Sequence, residues 1–171
     1  MDTIFEDSFE EEEDTQRGRY LTFALEDNVY GLPIRFVTEI IGIQEATRVP
    51  ETPDYVKGII NLRGRIIPLI DVRLKFGKVE IPYNERTCII VIDVNSASIG
   101  LIVDKVEDVL TIDDALIAAP PSSGKVGFEN RYIEGIGKVG DQVQLLLDAE
   151  KLLQTEEMLM LEEISSPESN G

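Results

Sequence analysis

A chain of 171 residues with a formal net charge of −17 suits one compact domain, or two small subdomains sharing a core, and its lack of a basic stripe argues against nucleic-acid binding. Hydrophobic residues make up 43% and aromatics only 6%, with no tryptophan, so the interior is expected to be mostly Val, Ile and Leu. One cysteine excludes an internal disulfide and fits a reducing compartment, and no apolar stretch approaches the ~18 residues of a membrane span.

The acidity sits at the ends. Residues 1–14 hold eight acids and no base, and residues 154–171 hold five acids and no base, leaving a body of twenty acids against all sixteen bases. Such runs repel themselves, so 1–17 and 161–171 are expected to be disordered tails. The N-terminus lacks the basic and apolar regions of a signal peptide. Residues 19–26 alternate in polarity and read as a strand, turned by Glu26-Asp27-Asn28 into a second strand over 29–32. Pro33 opens one helical turn over 34–37, because proline at the first helical position loses no bond it would have made. Residues 38–43 resume as strand, and 52–57 predict another single helical turn.

The central stretch, Lys57 to Asp71, sets two β-branched runs around Asn61-Leu62-Arg63-Gly64 and reads as a hairpin. Gly64 accepts positive φ at no steric cost. Nothing in hairpin chemistry calls for a cation at the tip, and Arg63 is either a surface ornament or a recognition residue. Residues 72–76 predict a third helical turn, and the same pattern restarts after Gly77. Strands at 87–94 and 98–103 are joined at Asn95-Ser96, and Cys88 in the first of them reads as a buried, inert thiol. A strand at 106–112, a Pro/Ser/Gly loop at 118–127 and a hairpin of 132–139 with 143–147 about Gly140-Asp141 follow. A helix from Asp148, which caps it, to Leu161 closes the chain. About ten short strands with little helix argue for an all-β, barrel-like fold, and no long crossover helix is present to support a parallel sheet.

Sites for chemistry are hard to build from this inventory. The chain has no histidine, the commonest general base and metal ligand. One cysteine cannot make a zinc site, the glycines at 58 and 64 lack the spacing and following Lys-Ser/Thr of a phosphate loop, and no serine has a nucleophile-elbow context. Asp113-Asp114 reads as a helix cap or loop pair. No catalytic residue, metal or cofactor is expected, which leaves a binding module. A carboxylate-dependent β-barrel hydrolase is the remote alternative.

Tyr30-Gly31-Leu32, Val37-Thr38-Glu39-Ile40-Ile41, Thr52 to Gly58, Asn61-Leu62-Arg63-Gly64, Ile67-Pro68-Leu69-Ile70-Asp71 and Phe76 together resemble the bacterial chemotaxis coupling family, CheW. Gly100 to Val106, Tyr132 to Gly137 and Glu150-Lys151-Leu152-Leu153 extend the resemblance over roughly residues 18–160. It implies two intertwined five-stranded SH3-like barrels sharing a hydrophobic seam, with short helical turns and a C-terminal helix, between the two tails. The family has no catalytic activity. It is a cytoplasmic scaffold, recruited to membrane receptor arrays, that couples methyl-accepting chemoreceptors to the regulatory domain of the chemotaxis histidine kinase. A coupling protein of a non-chemotactic receptor–kinase array is the alternative. By resemblance, Val37, Glu39 and Arg63, with Gly100 and Val106 of the second barrel, bind the receptor in a groove between barrels, where a helical hairpin tip docks. Thr47, Arg48, Val49 and Gly58 on the outer face of the first barrel contact the kinase. Each position has a plainer alternative: Val37 as core, and Gly58, Gly64 and Gly100 as requirements of the backbone alone. The opposite charges of Glu39 and Arg63 predict an ion pair that orients the guanidinium towards the groove.

Overall fold

The computed structural model describes residues 16–120 and 131–153. Nearly all of the acidic 1–17 segment, most of the 118–127 loop, the predicted helix beyond Leu153 and the 161–171 tail lie outside the described residues. The strands are β1 Arg19–Leu25, β2 Asn28–Pro33, β3 Val37–Gly42, β4 Val56–Leu62, β5 Arg65–Asp71, β6 Cys88–Val94, β7 Ala97–Val103, β8 Lys105–Thr111, β9 Ile117–Ala118, β10 Ile133–Val139 and β11 Gln142–Leu147. Two short helices, α1 Val72–Lys75 and α2 Ala149–Leu152, and 3-10 turns at Ile34–Phe36 and Asp114–Leu116 complete the described elements. Asp71, Asp113 and Asp148 cap α1, the second 3-10 turn and α2 by accepting the N–H of Leu74, Ala115 and Lys151, as short aspartate side chains at N-caps do. The predicted helical turn at 52–57 is absent. Val56 donates to the Pro53 carbonyl in a β-turn, and Asp71 donates to Tyr55 at 2.7 Å, which extends the ladder and draws Val56 into β4.

The two sheets are five- and six-stranded, and their strands interleave along the chain. One sheet runs β8-β1-β2-β11-β10-β9 and the other β3-β6-β7-β5-β4. Each contains one parallel pairing, β2 with β11 and β5 with β7. The other pairings are antiparallel, and these two form without a crossover helix because a crossover needs length, not helix. Residues 72–96 supply it for β5 and β7, and most of the chain supplies it for β2 and β11.

The five-stranded sheet is apolar on both faces, which explains why its strands read as unbroken Ile/Val runs. Ile90, Ile92, Ile99, Leu101 and Val103 face a core shared with Phe23, Leu25, Tyr30 and Leu32 of the other sheet. Their neighbours Ile89, Val91 and Ile102 face a second, smaller core with Ile60, Ile67 and Leu69. The period-two alternation of a strand makes this division. A run of aromatic contacts threads the shared core: Phe23 to Tyr30, Tyr30 to Phe76 and Phe76 to Tyr132, with centroids 5.5–5.6 Å apart. The buried Lys75 lies over the rings of Tyr55 and Tyr132 at 4.4 and 5.3 Å. Cys88 is only half-buried, its thiol donating to the Arg86 carbonyl, because it begins an exposed strand end.

A cluster of ion pairs joins turns of the two sheets. Arg73 of α1, its side chain 9% exposed, donates from Nε to both oxygens of Asp104 at 2.9 and 3.1 Å, and from Nη1 to Glu26 at 2.9 Å and to the Val79 carbonyl at 3.1 Å. Asp104 also accepts from the Glu26 backbone N–H at 3.2 Å. The clamp therefore ties the β1–β2 turn, the β7–β8 junction and the segment after α1. Burial works against the charged guanidinium, yet the bonds to Glu26 and Asp104 outweigh it and hold its pKa above the ordinary value.

Candidate protein-docking site

The β4–β5 hairpin closes with a two-residue loop, Arg63 and Gly64, between the paired Leu62 and Arg65. Both loop residues have positive φ, 52° and 87°, the pattern of a type I′ turn whose twist matches the strands. Gly64 adopts it freely, but Arg63 does so at a steric cost. Asn61, which the sequence reading passed over, holds the loop: its Oδ1 accepts the Gly64 N–H at 2.8 Å. The expected ion pair is present, an Arg63 Nη2 donating to Glu39 Oε2, with side chains 69% and 30% exposed. Glu39 lies on β3 and Arg63 beside β4, strands at opposite edges of the five-stranded sheet. Their contact requires the sheet to curl until its edges approach, and this gives it a barrel form. Beside the loop, Arg65 donates to Ser98, Ser98 donates to Asp93, and Arg65 stands 3.8 Å from Asp93.

Three of the four ladder irregularities fall at candidate residues, the fourth lying at Glu134 of β10. Thr38 is an extra residue between Val37 and Glu39 opposite β6, and its hydroxyl donates to the Val91 carbonyl at 3.1 Å. Glu107 is extra next to Val106 opposite β1, and Lys57 is extra next to Gly58 opposite β5. Bulges of this kind re-aim side chains and gather near functional sites. Val37 and Val106 are both half-buried and packed on the shared core from different sheets. Each is therefore core on one side and surface on the other.

Gly100 departs from the expectation of a residue lining a groove between barrels. It belongs to the same sheet as Arg63, is buried in β7, and a Cβ there would come within 2.6 Å of Leu69 Cδ2 and 2.8 Å of Ile89 Cγ2. Its missing side chain points into the smaller core, away from the seam, by the alternation that sends Ile99 and Leu101 the other way. Any effect of substituting it travels through repacking.

The other candidate surface runs along the edge of β4 that faces away from β5. Thr47 pairs with Ile59 in an isolated bridge, N–H to carbonyl at 2.9 Å in both directions, which lays residues 46–49 along β4. Thr47 and Arg48 are exposed and Val49 is half-buried, whereas Gly58 is buried beneath them with φ 134°. A Cβ on Gly58 would stand 2.3 Å from the Thr47 carbonyl oxygen. Gly58→Ala is thus expected to destabilise the fold by about 3 kcal/mol and to unprotect the Thr47 and Ile59 amides. Denaturant melts and amide exchange check this, and an unchanged melt would mean the close approach is dispensable.

Residues 19–157 match the family model of the CheW-like domain. The chain is 38% identical over 146 residues to the chemotaxis protein CheW of Klebsiella aerogenes, covering 85% of this chain and 87% of that protein. It is 30% identical over 138 residues to the protein FrzA of Myxococcus xanthus, covering 80% and 85%. Among solved structures, the scaffolding protein TtCheW of Thermoanaerobacter tengcongensis is similar with a TM-score of 0.73 at 34% identity, over 82% of this chain and 90% of that one. The matched span begins at the first residue of β1 and runs past α2, so the chain belongs to the CheW-like family.

Proposed function

We propose that this CheW-family adaptor works without catalysis, by holding chemoreceptor tips and the regulatory domain of the chemotaxis histidine kinase in a fixed relative orientation. The observation that carries the reading is Arg63. It is an exposed cation on a constrained turn, paired with Glu39 across the curled sheet, so its guanidinium is presented with little freedom left to lose. Val37 and Val106 supply apolar contacts for the receptor, and Gly100 acts only through the packing of the smaller core. Thr47, Arg48 and Val49, held on β4 above Gly58, form the kinase-facing surface. Both contacts are of modest size, near or below the ~1,600 Å² of a standard interface, as suits a signalling array. Signal passes by shifting populations of the assembled states. The protein works in the cytoplasm and reaches the membrane only through its receptors.

A pull-down of the full chain with a receptor cytoplasmic fragment, and separately with a kinase regulatory domain, tests this. Capture of both is expected, with Val37→Ala weakening the receptor arm alone; capture of neither overturns the reading. A second reading, the adaptor of a non-chemotactic receptor–kinase array, is favoured by the likeness to FrzA, whose name is not that of a chemotaxis protein. Selective capture of a receptor–kinase pair from such an array would select it.

A further inference from the structure

We propose that a cavity in the six-stranded sheet, remote in role from the surfaces above, binds a guanidinium or primary ammonium group carried on a short apolar stem. The cavity has a volume of about 250 Å³ and is lined from β1, β2, β8, β10 and β11. Its origin is an inversion of polarity in β11. Val143 is 51% exposed while its neighbour Gln144 is 1% exposed. A strand that only had to fill a core would place the valine inwards, so a buried glutamine is the informative feature.

The Gln144 amide is half satisfied. Its Nε2 donates to Gln142 Oε1 at 3.5 Å, which orients the group, and its buried Oε1 has no hydrogen-bond partner among the described residues. An orphaned carbonyl oxygen asks for a donor. The charges on the lining specify what sort. Glu107 and Asp108 contribute two carboxylates, and no basic residue lines the cavity. Glu107 is the extra residue of the β8 bulge and stands 3.6 Å from the exposed Lys105, a partner that costs little to displace. Asp108 uses Oδ1 to accept the Val109 N–H. Val29, Leu110 and Val139 provide apolar wall for a methylene stem. The volume is several times the ~30 Å³ share of one water, and below the ~300 Å³ at which drug-sized pockets begin. A single side chain or small amine fits these limits. The source is either a partner protein's arginine or lysine or a free amine.

Titrating the isotope-labelled full chain with agmatine, with arginine blocked at both ends, and with pentanoate tests the site by NMR. The Gln144 side-chain amide and the backbone amides of Val29 and Glu107 are expected to shift with agmatine but not with pentanoate. Gln144→Leu should weaken agmatine at least about tenfold. Glu107→Gln, an exposed change that leaves the interior intact, should weaken it about threefold. A response to blocked arginine as well identifies a partner side chain as the source, and a response to agmatine alone identifies a free amine. No shift at these amides, an equal response to pentanoate, or variants that bind as wild type does would overturn the proposal.

Discussion

Arg63→Gly is expected to keep or slightly raise the melting temperature while weakening receptor-fragment binding about 30-fold. The two effects separate because Arg63 plays two opposed parts. Its φ of 52° places an L side chain in the left-handed region, a cost of roughly 1 kcal/mol that glycine does not incur. Glycine returns part of that gain through a freer unfolded chain, so the net change in stability stays small. The ion pair lost with the guanidinium involves a side chain 69% exposed, and such pairs contribute only about 0–1 kcal/mol. Binding responds differently, because an arginine acting as an interface anchor is worth about 2 kcal/mol or more on truncation, which corresponds to the 30-fold loss. Titration calorimetry beside thermal melts reads both quantities on one sample. Unchanged affinity would remove Arg63 from the interface, and a collapsed melting temperature would make the turn a structural element only. Glu39→Gln should fall between, since the cation survives but loses its orientation.

Arg73→Met is expected to cost about 3 kcal/mol, or roughly 6–12 °C in melting temperature for a chain of this size. Methionine keeps the stem and the packing but strands Asp104 at the junction of β7 and β8, frees the Val79 carbonyl and leaves Glu26 with Lys78, 3.7 Å away, as its cation. Arg73→Lys should recover only part, because an ammonium cannot span Asp104 and Glu26 in the planar geometry of a guanidinium. The loss also carries a pH signature. The bond from Arg73 holds the Glu26 carboxyl below its ordinary value of 4.5. A carboxyl depressed in the folded state contributes stability that is present above the unfolded value and disappears as pH falls through the folded one. The gap between wild type and variant should therefore be full at neutral pH and narrow below about pH 4.5. A gap of constant size down to pH 3 would mean that Glu26 takes no part in the clamp.

Much of this was legible in the chain and some was not, for physical reasons. Strands and hairpins follow from local alternation and turn residues, which is why Asn95-Ser96 and the Gly64 turn fall where expected. The ion pair of Glu39 and Arg63 was legible from the resemblance and opposite charge. The strain on Arg63 itself was not, because attention to Gly64 obscures that a type I′ loop demands positive φ of both central residues. Period two does separate Gly100 from Ile99 and Leu101, but which side faces which core is a tertiary fact. The pairing of β2 with β11 and β5 with β7 leaves no periodic trace, since registers between distant strands are set by packing. Arg73 looked like one basic residue among sixteen, and only the meeting of two remote turns around it reveals the clamp.

The interleaving of the sheets bears on how the protein is made. Val29 of β2 finds its partner in Gln144 of β11, far along the chain. Until β11 is made, the β1–β2 hairpin waits with a bare edge and an uncovered apolar face, the kind of surface that invites aggregation. Neither half can be cut out and expressed as a smaller adaptor, because each sheet draws strands from both. The sheets of this scaffold therefore close together, and the exposed edge of β2 is covered only when β11 emerges.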